Sequence, residues 1–138
     1  MLEVFAQINY LAVLVAAILY FIVGAAWYAP QLFGKAWMQE RGIKPEDIQG
    51  GAGPMMLGTT FVAILIGTLA MGYVVQASGS SGVLAGLATG LLAGIGFAAT
   101  ALGITILFET RSLKLFLINA GYHLTGFTLA GIILSLWK

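Results

Sequence analysis

The sequence predicts an all-α integral membrane protein. It reads as a four-helix bundle with a short amphipathic interfacial helix between the first and second spans. Three observations carry that prediction. Of 138 residues, 60% are hydrophobic and only 8% are charged, where a soluble domain carries about 25%. The eleven charges leave uncharged runs at residues 4–34, 48–108 and 115–137. A bilayer core of about 30 Å takes about 20 apolar residues of helix, so the three runs hold one, two and one spans. Finally, the longest run is broken by a turn-rich cluster at residues 76–82, Gln-Ala-Ser-Gly-Ser-Ser-Gly. The pattern excludes a soluble globular domain, a disordered chain and a nucleic-acid binder. It also lacks the alternating runs of about ten residues that mark a transmembrane barrel.

The first span is expected over residues 8–28. Pro30 cannot continue it and biases Ala29 away from helix. Trp27 and Tyr28 suit the aromatic belt at a membrane face. Glu3 is the only charge before Lys35, so the basic region of a signal peptide is missing. The apolar run is also too long for a signal core, and a retained helix is expected. Residues 31–54 form a charged loop. Within it Leu32, Phe33, Ala36 and Trp37 share one helical face, with Lys35, Gln39 and Glu40 opposite, as in a helix lying in the interface. Pro45, Glu46 and Asp47 read as the first turn of another short helix. The second span is expected over residues 55–75 and the third over 83–108. The third is long enough that it must tilt, bend at a glycine or protrude. The fourth is expected over residues 115–137.

Orientation follows the basic residues. Lys35, Arg41, Lys44, Arg111 and Lys114 fall in the two loops of one side, against Lys138 alone on the other. The expectation is a multi-pass protein of the inner (plasma) membrane with both loops cytoplasmic and both termini outside. A net charge of +1 gives no strong attraction to polyanions, and the absence of cysteine removes disulfides, thiolate catalysis and cysteine metal sites.

Two features stand out inside the spans. Gly82, Gly86, Gly90 and Gly94 recur every four residues, a stripe that lets helix backbones approach closely in lipid. Packing within the bundle is the first reading and a subunit interface the second. Gly96, Ala99 and Gly103 lie on another face, so a homo-oligomer is expected. In the fourth span Asn119 and His123 are four apart and share a face with one another. Intramembrane polar groups face protein and find partners. Counting 1.5 Å per residue from the loop end places Tyr20, Ala63 and Thr100 at the depth of His123, and Thr59 and Thr60 nearer that of Asn119. A neutral His123 bonded to Tyr20 or a threonine is the plainest reading; a proton-sensitive or ligand-binding group is the sharper one. One histidine, no cysteine and no carboxylate within a span predict no metal site, and no catalytic set or cofactor is expected. Glu109 is expected to pair with Arg111 or Lys114. Gln7 and Asn9, at the outer end of the first span, are expected to bond water or a neighbouring helix.

The segments Asn9-Tyr-Leu-Ala-Val13, Gly24-Ala-Ala-Trp-Tyr28, Leu32-Phe-Gly-Lys-Ala-Trp37 and Leu115-Phe-Leu-Ile-Asn-Ala-Gly-Tyr-His123 resemble a family of small prokaryotic membrane proteins, domain of unknown function 1761. The resemblance covers nearly the whole chain and implies four spans, but no reaction, substrate or cofactor. It singles out Asn9, Gly24, Trp27, Tyr28, Phe33, Gly34, Trp37, Asn119, Gly121, Tyr122 and His123. Together these readings predict a homo-oligomeric channel, transporter or small-ligand-binding protein. Its polar site is placed around Asn119, His123, Tyr122, Tyr20, Thr100, Trp27 and Tyr28. Membrane lipids and other copies of the chain are its expected partners, a further membrane protein is a possible one, and no nucleic acid is expected. A structural or accessory subunit is the alternative, and a lipid-modifying membrane enzyme the third reading.

Overall fold

The computed structural model of the protein describes residues 1–48 and 50–138. Helix α1 (Leu2–Ala6) precedes α2 (Tyr10–Trp27). Helix α3 (Gly34–Arg41) and a 3-10 turn (Pro45–Ile48) lie in the first loop, and α4 (Pro54–Ala77) comes after them. The third span is one rod in three parts: α5 (Val83–Ala93), a π-helical turn (Gly94–Ala99) and α6 (Thr100–Phe108). Helix α7 (Leu113–Leu136) ends the fold. The rods α2, α4, Val83–Phe108 and α7 are each long and apolar enough to cross a membrane, and no strand occurs among the described residues.

The ends follow local chemistry. Asn9 Oδ1 caps α2 by accepting from the amides of Leu11 and Ala12, both at 3.1 Å, and makes no bond to a neighbouring helix among the described residues. The backbone carbonyl of Gln7 accepts from Gln76 Nε2 at 2.6 Å. Ser112 Oγ caps α7 through the Leu115 amide, and Pro54 opens α4 where no donor is lost. After α2 the chain turns sharply, with Phe33 N donating to Trp27 O and Gly34 N to Ala29 O, each at 3.0 Å. A Cβ on Gly34 would stand 2.3 Å from Tyr28 O, so this close approach requires glycine.

Helix α3 starts at Gly34 and not at Leu32, because Leu32 and Phe33 belong to that turn. Phe33 lies against Trp27 with ring centroids 4.7 Å apart. The helix is tied to the start of α7 through Glu40, which accepts from the Ser112 hydroxyl and lies 4.0 Å from Lys114 Nζ. Glu109 therefore loses Lys114 as a partner and makes no ion pair among the described residues.

Helix α7 is the central column; 39% of its most apolar stretch is buried, against 17% for the third span. It runs antiparallel to α5, and their backbones nearly touch. A Cβ on Gly86 would lie 2.5 Å from Gly131 O, one on Gly90 2.6 Å from Phe127 O, and one on Gly94 2.8 Å from the Leu124 side chain. Three of the four striped glycines are thus occupied within the chain. Gly82 takes a different part, opening α5 at φ +86° with open space around it. The π turn begins at Gly94, one of the glycines of the long third span. Beyond it a Cβ on Gly103 would lie 3.4 Å from the Phe116 ring. Near the termini, Ile8, Ala12, Val13, Ala16, Met71, Val75, Ala130 and Leu134 form one core. Toward the loops, Ala17, Tyr20, Ile64 and Tyr122 form a second.

Candidate ligand site

The second core grades into a polar seam between α2 and α7. Glycines on one helix receive rings from the other. A Cβ on Gly126 would sit 2.0 Å from the Tyr20 ring, one on Gly24 2.8 Å from the Tyr122 hydroxyl, and one on Gly121 3.0 Å from the Trp27 ring. With the rings so seated, their polar ends reach partners. Tyr20 OH and His123 Nδ1 are 2.7 Å apart, Trp27 Nε1 donates to Ile118 O at 2.9 Å, and Tyr28 OH donates to Asn119 Oδ1 at 2.9 Å. Tyr122 links these contacts. Its ring lies edge-on to Tyr20 and Tyr28, with centroids 5.3 and 5.4 Å away, and 4.7 Å from His123. Trp37 of α3 closes the loop end at 5.8 Å from Tyr28.

The structure therefore gathers six of the seven expected site residues, and Thr100 is the exception. Thr100 is exposed and bonds its own helix, at Gly96 O (2.8 Å) and Phe97 O (3.1 Å). Depth along a helix sets height but not direction, and the wide turn just before Thr100 rotates the residues of α6 relative to a regular helix.

The Tyr20–His123 contact bears on which ring nitrogen faces outward as a donor. Tyr20 is 3% exposed, and its hydroxyl proton has no other acceptor among the described residues. In the tautomer whose Nδ1 accepts from this hydroxyl, the ring carries its proton on Nε2. Nε2 has no partner among the described residues. His123, Tyr20 and Tyr122 together line a cleft of about 510 Å³ that opens between α4 and the third span. Its other walls are Thr59, Thr60, Ala63, Ile64, Gly67, Ala98, Leu102 and Phe127. A second hollow of about 470 Å³, reaching Val74 and Phe97, shares Gly67, Ala98 and Phe127 with it. No charged residue lines either one.

Thr59 and Thr60 hold polar atoms at the mouth. Thr68, Thr89, Thr100, Thr105 and Thr125 each bond the carbonyl four residues back. Thr59 and Thr60 make no such bond among the described residues, so their hydroxyls are free. Asn119, bonded to Tyr28, is outside the cleft. Gly67, Ala98, Leu102 and Phe127 carry no sequence signal for such a site, since small and apolar residues fill every span.

Among the described residues no three His, Cys, Asp or Glu side chains cluster to hold a metal. The site offers hydroxyls, aromatic rings and one imidazole. A family model, protein of unknown function DUF1761, matches residues 11–135, and the chain belongs to that family. No curated protein and no solved structure matches the chain.

Proposed function

We propose that this family member is a ligand-binding protein of the inner (plasma) membrane that takes a small apolar or amphiphilic molecule from the bilayer into the cleft beside His123. One observation carries the reading: an apolar cleft between two spans has His123 on its wall, and the Nε2 of that residue has no partner among the described residues. Ligand sites are concave and mostly apolar, with few placed polar groups. Transport is the extension of this reading, in which the bound molecule moves on. The test uses a photoactivatable long-chain alcohol in nanodiscs, with the labelled peptides mapped by mass spectrometry. Labelling concentrated on the walls around Thr59, Gly67, Phe127 and Ala98, and lost in Gly67→Leu, supports the reading. Labelling spread over Leu84, Leu92 and Leu107, and unchanged by Gly67→Leu, overturns it.

A homo-oligomer belongs to the same proposal. Gly58 has open space where a Cβ would go, and Gly96 meets only its own Leu92 at 3.9 Å, so small residues remain uncovered on α4 and on the third span. Mass measurement of the detergent-solubilised protein tests it, and a monomer counts against it. The lightly buried third span equally favours an accessory subunit of a larger complex, which a stoichiometric co-purifying protein would reveal. For orientation, both termini lie outside because five basic residues gather at the loop end. The chain has no cysteine, so single cysteines at Gln39 and Lys138 report sidedness cleanly. A Lys138 cysteine labelled only from the cytoplasm would reverse the assignment.

A further inference from the structure

The shape and donors of the cleft narrow its occupant, resting on the reading that the cleft binds a ligand. The two adjoining hollows run along α4 from Thr59 to Val74, about 22 Å at 1.5 Å per residue. That is roughly three-quarters of a 30 Å hydrocarbon core, a path for one long tail and not for a compact solute. Polar atoms gather at one end only. On α7 His123 lines the cleft, and its Nε2 is a donor in the tautomer whose Nδ1 accepts from Tyr20; on α4 the hydroxyls of Thr59 and Thr60 have no partner among the described residues. The head group therefore meets donors from two different helices and no charge. The rings of Tyr20, Tyr122, His123 and Phe127 line the same end, which suits a flat head.

Depth points the same way. Thr59 lies about 7 Å and His123 about 15 Å along their helices from the loop end. Helices of 24 residues measure about 36 Å, so they overrun the hydrocarbon by only about 3 Å at each end. The mouth is consequently below the headgroups, where a charged phospholipid head does not sit. We propose that the cleft binds a lipid quinone. One ring carbonyl accepts from His123 Nε2–H, the opposite carbonyl accepts from Thr59 or Thr60, and the linear tail runs past Phe127 toward Val74.

The experiment measures equilibrium binding of a decyl-substituted benzoquinone to the protein in phosphatidylcholine nanodiscs, with empty nanodiscs as background and dioleoylglycerol and oleate as competitors. The expected result is saturable binding that falls at least tenfold in His123→Leu. Binding should be largely restored in His123→Gln, which keeps an N–H donor. Thr59→Val with Thr60→Val, at exposed positions that do not threaten folding, should weaken binding severalfold. Unchanged binding in both His123→Leu and the double threonine variant overturns the proposal. Displacement by equimolar dioleoylglycerol overturns the quinone head, and displacement by oleate overturns the requirement for an uncharged one. If the long-chain alcohol labels the cleft but the quinone shows no saturable binding, this inference fails and the broader reading stands. If neither ligand binds, both fail.

Discussion

Small residues do opposite things on the two sides of α7. Against α5 and α2 they remove bulk so that helices close. At Gly86, Gly90, Gly126 and Gly131 an added Cβ would come within 2.6 Å of backbone or ring atoms. Between α4 and the third span they remove bulk and nothing closes. Gly67 has only the Phe127 ring at 3.6 Å, and Gly58 has nothing within 4 Å. In lipid, where apolar surface gains little by leaving the solvent, contact depends on packing. A gap between two spans can therefore persist, filled by lipid or ligand, without the penalty that an empty core would carry in water. A glycine-rich sequence is thus no measure of tightness; what matters is whether the facing helix presents backbone or space.

The contrast breaks most visibly at the closed seams. Gly90→Leu should destabilise the protein by about 3 kcal/mol or prevent folding, because the new side chain meets backbone and not a movable tip. Unfolding in mixed detergent micelles measures it, and a loss below about 1 kcal/mol would show that α5 and α7 can separate freely. The polar contacts come next. Tyr20→Phe should cost about 1 kcal/mol, in the range of buried interhelical hydrogen bonds in membranes. A double-mutant cycle with His123→Leu isolates the pair, and additive effects would mean the 2.7 Å contact contributes nothing. The open side should respond least. Gly58→Ala should leave folding unchanged or raise stability by up to about 1 kcal/mol through helix propensity alone. Thr100→Val should be neutral, and a clear loss there would mean that its face is covered by a partner.

Much of the architecture was legible because charge is so sparse. The gaps between charges count the spans, and breakers such as Pro30 and the glycine–serine cluster end them within about two residues of the observed bounds. Helix α1 escaped notice because five residues carry too little periodicity to be read. The ring seam was half legible. Trp27 and Tyr28 fit a membrane belt, but their polar atoms bond α7, and no pattern within α2 names a partner on another helix. The clearest missed signal was the pairing of Gly24 with Tyr122 and Gly121 with Trp27, a small-to-large match across antiparallel helices. The cleft was legible in part: depth counting set Tyr20, Ala63, Thr59 and Thr60 near His123, but nothing in the sequence says that the space between α4 and the third span stays open. Glu40 taking Lys114 from Glu109 shows the same limit: proximity in sequence lost to the docking of α3.

The π turn at Gly94–Ala99 divides the third span into two segments that meet α7 in different angular phases, through Gly86, Gly90 and Gly94 before or at its start and through Gly103 after it. A wide turn of this kind differs from a regular helix by one inserted residue. Ala98, inside it, lines both hollows. A single-residue insertion or deletion at this point would leave the glycine contacts of α5 untouched and swing α6 by roughly 100°. The length of the gene at one codon would then tune the width of the cleft, a coarser change than substitution of its wall residues one at a time.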